Sequence, residues 1–182
     1  MLRKNLPLAA LVILFIAAVL SRPLSSALEK EKGDKGPLSS ATISFGQGMT
    51  TPPLDRFPNN SPAAGNHHAL VPGEVKIKAG GTVNFIIAGL HQVIVYDDGT
   101  KPGDINATLT TPTTGMPAGV PLIDDPTDRI YRGLDPSLQT RDRVEVVHFA
   151  NPGTFLVICG VQPHFVNDGM FGFVRVLPAD KD

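Results

Sequence analysis

Cys159 is the only cysteine in the chain, and His164 and Met170 follow it closely in the run VICGVQPHFVNDGMFGFVRV. A thiolate, an imidazole and a thioether form a soft donor set that suits copper moving between its two oxidation states. A blue-copper centre takes two His and one Cys in a trigonal plane, with a long axial Met. This run lacks one imidazole. His91, in AGLHQVIVYDDG, follows a glycine-containing turn and opens a β-branched stretch, which makes it the candidate. Taken singly, each residue has a plainer reading: a buried Cys as a small hydrophobe, a Met as core filler. The ordered grouping favours ligation.

These residues need strands to hold them. GEVKIKAGG alternates Val75 and Ile77 with charged residues and turns at Gly80-Gly81. TVNFIIAG alternates Val83, Phe85 and Ile87. HQVIVYDDG is β-branched and ends in a turn signal, RVEVVHFANPG and TFLVICG are joined at Asn151-Pro152-Gly153 in a hairpin pattern, and GFVRVLP closes the series. Short runs of period two punctuated by Gly and Pro indicate an all-β sandwich. No segment shows helical periodicity. If Cys159 points inward, Phe155 and Val157 share its phase and bury one side of the site. His148 then faces outward, provided that Val147 and Phe149 face the core. His67-His68 reads as a surface pair at the entry to a strand, with an accessory metal contact as the alternative; neighbours in a strand point to opposite faces, so the two cannot easily bind one metal together. Asn106 begins an Asn-Ala-Thr glycosylation pattern that matters only in a eukaryotic secretory host.

Residues 1–27 read as a signal peptide or N-terminal anchor. Arg3 and Lys4 precede an uncharged apolar run from Leu6 to Leu20, and Ser25-Ser26-Ala27 offers a cleavage site. The run is short against the roughly 20 residues of a membrane span. Both outcomes place the domain outside the cytoplasm, in a periplasmic or other extracytoplasmic setting. Cleavage removes three of the 16 basic residues and none of the 17 acidic ones, leaving a net charge of −4. That balance argues against nucleic-acid binding. Residues 28–66 read as a flexible leader and an irregular Pro/Gly/Asn-rich arm, and residues 67–182 as the domain. Within it, about residues 99–140 are too long for a bare loop, and an insertion with a short helix or strand of its own is expected there, near a functional end.

With these segments in view, the chain resembles the cupredoxins, the family of plastocyanin, pseudoazurin, azurin and rusticyanin. EVKIKAGGTVNFIIAGLHQVIVYDDG is similar to the family's first half, and NPGTFLVICGVQPHFVNDGMFGFVRV to its second. The resemblance covers roughly residues 73–98 and 144–178. It implies a Greek-key β-sandwich and one copper, with His91, Cys159 and His164 as equatorial ligands and Met170 as the axial one. Four residues separate Cys159 from His164 and five separate His164 from Met170, more than in plastocyanin-like members, so the loop must bulge to bring the sulfur back. A carboxylate ligand, as in red-copper relatives, would most simply be Asp168.

The resemblance implies a one-electron carrier rather than an enzyme, meeting redox partner proteins near the His164 loop. The alternatives are extracytoplasmic copper storage or delivery, and a mononuclear copper enzyme with an open coordination position. Copper oxidases and nitrite reductases attach a second copper through a His-Cys-His pattern, whereas Cys159 is flanked by Ile158 and Gly160.

Overall fold

A computed structural model describes residues 38–45 and 68–179. The N-terminal apolar run, most of the leader and arm, and His67 lie outside the described residues. Among the described residues no helix is long and apolar enough to cross a membrane. The described residues form ten strands: β1 (Leu38–Phe45), β2 (Leu70–Val71), β3 (Glu74–Ala88), β4 (Val93–Asp98), β5 (Thr110–Pro112), β6 (Pro121–Ile123), β7 (Arg129–Arg132), β8 (Asp142–Phe149), β9 (Gly153–Cys159) and β10 (Phe171–Leu177). The expected all-β sandwich is what forms.

The two layers share β3. Its first part, Glu74–Lys78, pairs in parallel with β10, and its second part, Gly81–Ala88, pairs antiparallel with β8. One layer thus runs β2-β1-β3-β8 and the other β3-β10-β9-β4-β7. The sequence expectation was a turn at Gly80-Gly81 between two strands. Instead the chain kinks there and continues as one strand of 15 residues. Gly80 takes a left-handed φ of 83°, which favours glycine. At Gly81 an added Cβ would lie 2.5 Å from the Ser39 carbonyl oxygen, so β1 can approach only a bare backbone.

Three further expectations are corrected. Asn151-Pro152-Gly153 is not a hairpin turn: β8 pairs with β3, whereas β9 pairs with β10 and β4. The turn carries the chain from one layer to the other, and Phe149 and Phe155 on either side of it meet edge-on in the core at 5.2 Å. Leu38–Phe45, read as leader and arm, is a strand whose Ile43 and Phe45 are fully buried. The ligand run also contains a helix, α1 (Gln162–Asp168).

Strand phase decides what each layer buries. Phe155, Val157 and Cys159 point into the main core with Ile77, Val83, Phe85, Val93, Val95 and Val174. The alternate residues Leu156 and Ile158 form a second apolar cluster on the outer face with Ile94, Tyr96 and Ile123. The insertion covers that face. Its β5–β6 hairpin supplies Ile123, its β7 extends the sheet beside β4, and Ile105 and Ala107 pack at the margin. Asp125 fixes the turn beneath, accepting from the Asn106 and Thr127 amides. Burial pushes its carboxyl up, but these bonds outweigh it and hold the carboxyl below the ordinary range.

Candidate metal centre

Each candidate donor comes from a different structural element. His91 lies on the crossover from β3 to β4, where the chain leaves one layer for the other. Its carbonyl accepts from Arg143 Nη2 at 2.7 Å, which ties the crossover to β8. Cys159 is the last residue of β9 and points into the core by the phase given above. The next amide, Gly160 N–H, donates to the Gln92 carbonyl at 2.7 Å and fastens the His91 crossover to the Cys159 strand.

His164 stands in the first turn of α1. This helix absorbs the residues that lengthen the Cys–His–Met spacing. Pro163 sits in its first turn, where no amide donor is needed. Gly169 ends it at a left-handed φ of 64°. The chain then reverses: Met170 N–H donates to the His164 carbonyl at 3.0 Å, and Cys159 N–H donates to the Met170 carbonyl at 3.0 Å. Met170 is thereby returned beside Cys159, fully buried in the same apolar cluster. The bulge demanded by the spacing is a capped helical turn. Seven residues are too few to show periodicity, but the Pro and Gly at its two ends were a usable signal.

The three heteroatoms converge. His91 Nδ1 lies 3.4 Å from Cys159 Sγ, His164 Nδ1 lies 3.7 Å from that sulfur, and the two Nδ1 atoms are 3.1 Å apart. A triangle with these sides is acute, and its centre lies about 2.0 Å from every corner, close to the 2.0–2.1 Å of metal–imidazole bonds and somewhat short of the ~2.3 Å of a metal–thiolate bond. Hydrogen bonding explains the convergence less well. An N–H aimed at one corner of such a triangle points about 60° away from the other, beyond the range in which hydrogen bonds keep their strength. Two imidazoles and a thiolate in this arrangement fit copper by donor chemistry, and the thiolate is the form that a metal stabilises.

Of the expected donors, His91 and Cys159 are fully buried and His164 is partly exposed. Asp168, the carboxylate alternative, is exposed and lies 3.8 Å from His68 Nε2. His148 is exposed between inward-facing Val147 and Phe149.

His68, read as one of a surface pair with an accessory metal contact as the alternative, lies beside the donors with its side chain 16% exposed. Its ring stacks on His164 with centroids 3.6 Å apart and planes 11° from parallel, and its centroid is 5.5 Å from that of His91. One ring nitrogen from each of His68, His91 and His164 falls within 4.8 Å of the other two. Nothing in the spacing announces this, since His68 reaches the site from ahead of β2 and belongs to neither ligand segment.

No protein-family model matches the chain, and no curated protein matches it. Among solved structures it is similar to auracyanin from the photosynthetic bacterium Roseiflexus castenholzii, at 20% identity over 79% of this chain and 100% of that one, with a TM-score of 0.48. It is similar to auracyanin A from Chloroflexus aurantiacus, described as a "blue" copper protein, at 22% identity over 78% of this chain and 100% of that one, TM-score 0.43. It is also similar to pseudoazurin from Hyphomicrobium denitrificans, at 18% identity over 75% and 74% of the two chains, TM-score 0.39. What the centre can hold follows from the chain's own donor atoms.

Proposed function

We propose that the protein is an exported type 1 copper protein that carries single electrons between redox partners. His91, Cys159, His164 and Met170 would hold the copper. The observation that carries this reading is the donor triangle of two Nδ1 atoms and one Sγ. Bound copper would supply a one-electron couple.

The chain's own residues do the rest. Cys159 and His91 are held in a water-excluding apolar core. His164 is the only one of the three in-plane donors that is not fully buried, so the shortest route from the centre to the surface runs through its ring. Exposed Val166 and Phe171 lie beside it in the chain and offer an apolar margin for brief docking of a redox partner. Export rests on the apolar run of residues 6–20 and the small residues that follow it.

The test is the visible spectrum of the copper-loaded protein beside Cys159→Ala. One copper per chain with intense thiolate-to-copper absorption is expected, lost in the variant while circular dichroism shows an intact sandwich. A colourless complex that surrenders its metal to an acceptor would replace this proposal with storage or delivery.

A further inference from the structure

We infer that His68 is a positioning residue for His164, a flat clamp that fixes the angle at which that imidazole presents Nδ1 to the donor triangle. The inference rests on the copper reading above.

Three observations carry it. The two rings are stacked at 3.6 Å and 11°. Asp168 stands four residues after His164 on α1, one turn along the same face, and its Oδ2 lies 3.8 Å from His68 Nε2. His68 therefore meets two successive turns of the ligand helix, with a ring face on one and a ring nitrogen on the other. Its side chain is only 16% exposed, so it shields a face of the partly exposed ligand from water.

The same geometry argues against His68 as a fourth ligand. A metal bound in the plane of the His164 ring, about 2 Å from Nδ1, would lie more than 3 Å from a ring stacked parallel at 3.6 Å. A clamp needs the flat ring, whereas a ligand needs the nitrogen. Phe and Ala in place of His68 separate the two.

The experiment compares wild type, His68→Phe and His68→Ala, first metal-free and then loaded with copper. In the metal-free proteins, NMR of the His164 ring protons should show the upfield shift of a stacked ring in wild type and in His68→Phe, lost in His68→Ala. In the loaded proteins, all three should keep one copper and its thiolate absorption. His68→Ala should have the lower potential, because water admitted to the ligand face favours the more highly charged Cu(II). The stacking energy of an aromatic pair limits the change to about tenfold in the Cu(II)/Cu(I) ratio, or about 59 mV for a one-electron couple. His68→Phe should restore the wild-type value. The clamp is refuted if His164 shows no ring shift in the metal-free wild type, if His68→Ala leaves the potential unchanged, or if His68→Phe loses copper or matches His68→Ala. Absence of thiolate absorption in loaded wild type would instead overturn the copper reading, and the metal-free spectra would still decide the stack.

Discussion

Replacing Arg143 with Met should destabilise the fold and disturb the centre together. The inward phase of β8 runs Arg143, Glu145, Val147, Phe149, so an ion pair occupies the end of the strand nearest the His91 crossover. Arg143 Nε lies 2.9 Å from Glu145 Oε1, and the two side chains are only 10% and 9% exposed. Removing one member of a buried pair leaves the other uncompensated, which typically costs 3–5 kcal/mol. Here Tyr131 O–H still donates to Glu145 Oε2 at 2.9 Å, which places the expected loss near the lower end, about 3 kcal/mol. A domain with the usual stability of about 5–15 kcal/mol remains folded. Urea unfolding followed by circular dichroism measures the loss. Arg143→Met combined with Glu145→Leu should recover most of it, because no charge is then stranded. Since Arg143 also donates to the His91 carbonyl, copper absorption should shift in both variants. A loss below about 1 kcal/mol for the single variant, or a double variant no more stable than the single, would refute this account.

Met170→Gln should keep its copper, because His91, Cys159 and His164 would still hold it, but lower the potential and change the spectrum, since a stronger oxygen donor favours Cu(II). Voltammetry beside wild type decides, and identical values would make Met170 core filler. The two tyrosines should titrate late: burial, reinforced by Asp125 at Tyr96 and by the Glu145 hydrogen bond at Tyr131, pushes both up to about 12. A pKa raised in the folded state means stability that is full below pH 10 and lost as pH rises from 10 towards 12. Tyrosinate absorbance should therefore stay absent near pH 10 while the protein is folded, and its appearance there with circular dichroism unchanged would contradict the burial of both rings.

The strand phase around Cys159 was legible because it is local. Period two places Phe155, Val157 and Cys159 on one face whatever the strand's partners are. For His148 the same rule left two phases open, and burial of Val147 and Phe149 selects the outward one. Partners themselves are not local. Asn151-Pro152-Gly153 suits a hairpin and a crossover equally, and only the tertiary packing of Phe149 on Phe155 separates them. β1 was hidden because it pairs in parallel with β3, across a long connection and without a turn signature, and because Ser39 and Ser40 give its start the composition of a linker. His68 was illegible for the most physical reason: ring stacking leaves no periodicity and no fixed spacing, only proximity in the folded chain.

The centre's order comes from backbone clips rather than from the donors' mutual attraction. Gly160 N–H to the Gln92 carbonyl joins the His91 and Cys159 elements, and Cys159 N–H to the Met170 carbonyl closes the loop behind the sulfur. The insertion adds its own fastening: Ile123 N–H donates to the Gly160 carbonyl at 2.7 Å, and Gln92 Nε2 donates to the Gly133 carbonyl at 2.8 Å. At Gly160 an added Cβ would press into the Gln92 side-chain oxygen and come within 2.8 Å of Ile94 Cδ1, so both side-chain ends would have to shift to admit it. A triangle pinned at each corner by bonds outside itself changes little when the charge at its centre changes by one. That is the property an electron carrier requires, and a site built to release its metal would gain nothing from it.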